Sequence, residues 1–348
     1  MSIRNTCHMI TDSTCLSSQS NNKRINFSKS SDYSVSFFFR SHTMLECSDT
    51  SRNPIHLDFP YSFSENGHLR HKVTGEPYKF TFRLDDVRGT EREHHNLCHY
   101  ITQHVYDLLE RNFHLIRVHL EEDGFVFMSP GALYHPGSLL VLIQDWGTVR
   151  SGVWSWKLSA HEGLERGSQI PYLRWAALES CAVIIMNPNE GGKTLEHHVH
   201  LVWERLVSRS SAEHIFVVAH GYGGLAFVDL LCCQLEEVQR RVTAVAFLDS
   251  SHNLWHQPLG KAGRDWLKSH SRTWILSTKP LNRSVGSLKA GCPQISAGTQ
   301  CHDSAPIICM ESVFRFFSKT IQPKATPTPF EIITRSKSRA KDQNNNSI

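Results

Sequence analysis

The stretch Ile215-Phe216-Val217-Val218-Ala219-His220-Gly221-Tyr222-Gly223-Gly224-Leu225-Ala226-Phe227 is where chemistry is sought first. An apolar run leads into a turn of small residues, and helical spacing follows. A buried strand, a sharp turn and a helix in that order are the setting of a nucleophile elbow. There a serine stands on a strained turn and the helix N-terminus stabilises negative charge at the reacting centre. The nucleophile slot lies between His220 and Tyr222 and holds Gly221. Without a side chain, that position supplies no covalent catalysis. A glycine-rich turn of this kind also suits any α/β fold, so the residues around it must decide.

Other chemistry-bearing groups are less organised. Ser250 and Ser251 follow an apolar run, but neither sits on an elbow. His94, His95, Cys98 and His99 fall within a helical stretch, with His95 and His99, and His94 and Cys98, at i,i+4 spacing. A metal site needs three or four convergent ligands. With 22 histidines in the chain, chance clusters are expected. His197, His198 and His200 suit the polar start of a helix. The ten cysteines contain no CxxC pair, which speaks against a zinc ribbon. No metal and no cofactor is assigned.

The elements that must position these residues alternate. Apolar runs lie at 115–120, 139–143, 182–186, 215–219, 243–248 and 273–277, most of them apolar on both faces. That is the pattern of strands in a parallel sheet covered on both sides. Helical spacing appears at 93–113, 169–179, 196–209 and 224–238. The alternation predicts an α/β fold with a mainly parallel central sheet, 215–219 in its middle and helices on both faces. Residues 1–52 are rich in Ser, Asn and Thr with weak hydrophobic periodicity, and the chain from Pro323 onward reads similarly. Both tails are expected to be disordered, leaving one domain over 53–322.

The 348 residues are 40% hydrophobic with a net charge of +4. That balance does not by itself indicate nucleic acid, which calls for a clustered basic stripe. Phe37-Phe38-Phe39 is too short to span a membrane and no other run approaches the required length. No apolar segment follows Met1-Ser2-Ile3-Arg4, so an intracellular protein with reduced thiols is expected. Arg335, Lys337, Arg339 and Lys341 form a basic run, readable as a nuclear-localisation or RNA-contact patch or as a solvated tail.

The chain resembles the Argonaute-binding cotranscriptional-regulator family, whose core is an α/β-hydrolase-like domain. That family's elbow reads Val-Ala-His-Ser-Tyr-Gly-Gly-Leu-Ala-Phe-Val, and this sequence matches it from Val218 to Val228 except at Gly221. Further matches include Leu57-Asp58-Phe59-Pro60, the segment from Asn66 to Pro77, Gly167-Ser168-Gln169-Ile170-Pro171, Asn187-Pro188-Asn189-Glu190, Asp249-Ser250, Trp255-His256 and Ser296-Ala297-Gly298-Thr299. They span roughly residues 57–320. The resemblance implies an α/β-hydrolase-like fold, with Asp249 at the acid position and His302 at the base position. Their chain order, nucleophile then acid then base, is that of the fold. It also places Gln144-Asp145-Trp146-Gly147 where the family has His-Gly-Ser-Gly, the loop that supplies an oxyanion-hole amide. Asp145 would repel a developing oxyanion there. The family's acidic residue two before the histidine is Gln300 here.

The resemblance implies an interaction protein in the nucleus and cytoplasm. It would bind an Argonaute-type protein, with small RNA as a further partner, and act in heterochromatin formation and cotranscriptional regulation. Two alternatives stay open: a serine hydrolase or esterase with an unrecognised nucleophile, and a decayed gene copy without function.

Overall fold

Strands apolar on both faces need cover on both sides, and the chain supplies it. In the computed structural model, residues 59–321 are described apart from 81–82, 84, 121–123, 192, 255 and 287–291. The terminal segments expected to be disordered, and the basic run at 335–341, lie outside the described residues. An N-terminal hairpin pairs β1 (Tyr61–Phe63) with β2 (Leu69–His71). The long helix α1 (Val87–Arg111) follows, capped by the Asp86 carboxylate, which accepts from Gly89 N at 2.8 Å. Its buried stripe includes Leu97, Ile101, Val105 and Leu109, one residue per turn. Each fully buried side chain of this kind contributes about 1.5–3 kcal/mol before entropy is charged against it.

The sheet then builds from β3 (Ile116–His119), β4 (Phe125–Met128), β5 (Ser138–Ile143), β6 (Ala182–Ile185), β7 (His214–His220), β8 (Val242–Leu248), β9 (Ser271–Ile275) and β10 (Gln294–Ser296). Its eight strands lie in the order β10-β9-β8-β7-β5-β6-β4-β3. From β10 to β6 all neighbours are parallel, while β4 runs antiparallel to both β6 and β3. β7 is central, as the apolar run predicts. Short helices α2 (Trp156–His161), α3 (Leu164–Gly167) and α4 (Ile170–Leu178) lie between β5 and β6. After β6 come α5 (Leu195–Arg205), then α6 (Tyr222–Cys233), α7 (Leu235–Arg241), α8 (Lys261–His270) and α9 (Ala305–Ile321).

Alternate residues of the central strands feed two separate cores. Leu140, Leu142, Phe216, Val218 and Ala246 pack with α1, α4 and α9. Leu139, Val141, Val217, Val245 and Phe247 pack with α5, α6 and α8. The first core is pinned by Trp175 stacked on Phe314 at 3.7 Å and by the Tyr172 hydroxyl donating to Pro306 O at 2.6 Å. Strand order, crossover helices and the turn after β7 make this an α/β-hydrolase-like fold.

Two expectations need correcting. The run 115–120 does become a strand, but an edge strand in antiparallel pairing, with Ile116 exposed, rather than one buried on both faces. The helix expected over 224–238 breaks at Gln234 into α6 and α7. Among the described residues no helix is long and apolar enough to cross a membrane.

Candidate functional site

β7 delivers the chain to Gly221, which takes φ +53° and ψ −120° at the head of α6. A side-chain-bearing residue occupies that region only under strain. The turn is held from both sides: Gly221 N–H donates to Leu248 O at 3.1 Å, and Ser251 N–H donates to Gly221 O at 2.9 Å. The next two glycines let α6 sit against the strand ends. A Cβ on Gly223 would fall 2.7 Å from Gln144 O, and one on Gly224 1.9 Å from Ser250 Oγ. The elbow geometry therefore persists without its serine.

Asp145 fills the space a side chain at residue 221 would take. It follows β5, and a Cβ built on Gly221 would lie 2.2 Å from its Cγ. Oδ1 accepts from Tyr222 N at 2.5 Å, the amide that follows the nucleophile slot and lines an oxyanion hole in an active hydrolase. Oδ1 also accepts from Trp146 N at 2.8 Å. Oδ2 lies 3.0 Å from His302 Nε2. One carboxylate thus engages both the oxyanion amide and the base.

His302 sits between β10 and α9, and its Nδ1 lies 2.6 Å from Asp249 Oδ2. Asp249, just past β8, holds a left-handed backbone at φ +40°, and its N–H donates to Trp274 O at 2.8 Å. Asp249 and His302 thus come together beside the elbow, while Gln300 is exposed and outside the cluster. A carboxylate only accepts, so a carboxylate on each ring nitrogen requires both to carry a proton, which makes His302 an imidazolium. Burial alone would lower its pKa, but the hydrogen bonds and charges of Asp145 and Asp249 outweigh that and raise it to about 10. Burial would raise Asp145, yet His302, His220 and the Tyr222 amide hold it at about 2.

Beneath this ion triad lies His220. Its ring stacks on His302 at 4.1 Å, and its Nε2 donates to His302 O at 3.2 Å. Burial, and then the positive His302, push its pKa down to about 4, so it stays neutral. His220 therefore supports the imidazolium without competing for its proton.

In the sequence Asn187-Pro188-Asn189-Glu190 is a family match with no role of its own. In the fold Asn189 staples the loop that carries Asp145. Its Nδ2 donates to Asp145 O at 2.8 Å and Val149 O at 2.9 Å, and its Oδ1 accepts from Gly147 N at 3.1 Å. Asn187 is fully buried; its Oδ1 accepts from Ser151 N and its backbone N–H donates to His198 Nε2, both at 3.0 Å. Two polar asparagines directly after an apolar strand were the available signal. Ser250 also acquires a partner the sequence did not announce, His252 Nδ1 at 2.7 Å.

An elbow after the central strand, with a carboxylate and a histidine converging on it, defines a protein of the α/β-hydrolase-like class with glycine in the nucleophile slot. The Arb2 domain model matches residues 56–192 and 190–281, and the chain belongs to the Arb2 domain family. It is 37% identical over 335 residues to the cotranscriptional regulator ARB2A homolog of Gallus gallus, covering 76% of this chain and 80% of that protein. To the cotranscriptional regulator ARB2A of Homo sapiens it is 33% identical over 356 residues, covering 80% and 85%. Among solved structures, the histone deacetylase Clr3 aligns with a TM-score of 0.49 at 16% identity, over 65% of this chain and 39% of that one.

Proposed function

We propose that this chain is a non-catalytic member of its family that works by binding, as a cotranscriptional regulator in the nucleus and cytoplasm. The observation that carries this reading is the Asp145 carboxylate, bonded at once to Tyr222 N and His302 Nε2. A general base must offer a lone pair toward the nucleophile. In His302 that nitrogen already holds a proton, which it donates in a hydrogen bond to Asp145. Nucleophile, base and one oxyanion amide are therefore all out of service together. The relatives' names as cotranscriptional regulators support a role in gene regulation. The family resemblance extends it to an Argonaute-type partner, small RNA and heterochromatin formation.

Two measurements test this. Purified protein treated with a fluorophosphonate probe is expected to show no covalent label and no esterase turnover. The competing reading is a hydrolase using Ser250, which the contact with His252 at 2.7 Å favours over Ser251. A label mapped to Ser250 and lost in Ser250→Ala would establish it and end the non-catalytic reading. For the partner, the full chain is expected to retain Argonaute in a pull-down at moderate salt. No retention, with or without small RNA, would leave a regulator whose partner is of another kind.

A further inference from the structure

At the second half of the elbow helix α6, three side chains of different ligand chemistry converge. Asp229 and Cys233 are one turn apart on α6 and so share a face. His200 comes from the middle of α5, which packs alongside. His200 Nε2 and Asp229 Oδ2 are 3.1 Å apart. One ligand atom from each of the three residues lies within 4.8 Å of the other two.

We infer that His200, Asp229 and Cys233 bind a divalent transition metal, zinc foremost, which ties the elbow helix α6 to α5. In a tetrahedral shell with bonds of ~2.0–2.3 Å, ligand atoms stand roughly 3.3–3.6 Å apart. The His200–Asp229 pair is already near that spacing. Cys233 ends α6 and is exposed, and its sulfur already lies within 4.8 Å of the other two ligand atoms. Imidazole with thiolate selects zinc or cobalt over calcium or magnesium, which prefer oxygen ligands. On binding, the Cys233 thiol gives up its proton, and thiolate and carboxylate together balance the two positive charges. Among the described residues no fourth side chain joins this group, so the fourth position falls to water. Local spacing does not reveal this cluster, because His200 lies far along the chain from the pair it meets.

Cobalt reports the sulfur ligand directly. The full-length chain, kept reduced with a phosphine, is titrated with Co²⁺ alone. A thiolate-to-cobalt charge-transfer band should saturate at one equivalent and be displaced by Zn²⁺. Cys233→Ser should abolish the band and Cys232→Ser should leave it. His200→Ala and Asp229→Asn should each weaken Co²⁺ binding at least about tenfold. The many other histidines do not confuse the result, since they give no sulfur band. Absence of the band in wild type, its survival in Cys233→Ser, or its loss in Cys232→Ser would each overturn the assignment. Circular dichroism of each variant separates lost binding from lost fold.

Discussion

Taken from pH 6.5 toward 9, the protein is expected to lose stability steadily, and a His302→Gln variant is expected to stay nearly level over the same range. His302 titrates at about 10 in the fold against 6.5 in its ordinary state. A raised pKa means that its stabilisation is complete below 6.5 and is lost as pH climbs toward 10. Its side chain is 35% exposed. After allowance for solvent screening, the loss by pH 9 is about 1–2 kcal/mol. Above pH 9 the half-buried Cys98 thiol and the buried Cys181 thiol, both pushed up to about 12 by desolvation, add losses of their own. On the acid side the sign reverses. His198 and His220 are held down at about 4, chiefly by burial, so the unfolded chain takes up protons first and stability falls from 6.5 toward 4. Asp145, at about 2, adds a further loss below 3.8. Two slopes therefore meet near pH 6.5. His302→Gln removes the alkaline one and, by leaving two carboxylates face to face, lowers stability at pH 6.5 by about 2–3 kcal/mol. Urea midpoints across the range measure all of this. An alkaline slope unchanged in the variant would mean that His302 is not the imidazolium its partners require.

Restoring a side chain at residue 221 is the second large effect. Gly221→Ala places Cβ 2.2 Å from Asp145 Cγ in a backbone at φ +53°. Backbone strain costs about 1–3 kcal/mol. Pushing Asp145 aside weakens charge-assisted hydrogen bonds worth about 1.5–3 kcal/mol. The lower chain entropy of alanine in the unfolded state returns only about 0.4–1 kcal/mol. The net loss is about 3 kcal/mol, a fall of roughly 6–12 °C in Tm for a domain of this size. Gly221→Ser should behave alike. The sharper measurement is the cycle with Asp145→Gly. Removing the obstacle should return about 1 kcal/mol or more of what Gly221→Ser costs. Additive melting shifts would show that Asp145 does not fill the place of the missing side chain.

Much of this was legible in sequence, for physical reasons that differ by element. The central place of β7 follows from Ile215-Phe216-Val217-Val218-Ala219, where no alternation leaves a face for water. The elbow survives because Gly223 and Gly224 set close packing whether or not residue 221 carries a hydroxyl. β4 escaped notice because Phe125-Val126-Phe127-Met128 is only a short apolar run, set off from the run before it by Glu121-Glu122-Asp123-Gly124. The change at Asp145 was legible, but its consequence was not. Local spacing shows that a charge entered the loop. Only the fold shows that the charge reaches Tyr222 N and His302, and that Asn189 holds it there.

The Asp145 lock also orders the steps by which a serine could return. A serine at 221 arriving first meets the Asp145 carboxylate and costs stability with no gain, since His302 still donates where it would have to accept. Asp145 leaving first removes one of the two carboxylates that hold His302 protonated, which lets the imidazole move toward its neutral form, and it opens the Tyr222 amide. Only then is there room for a hydroxyl to meet a base. From the present state a hydroxyl at 221 is therefore accommodated only in one order of substitutions, Asp145 first. The site behaves as a ratchet, closed by one carboxylate on a stapled loop.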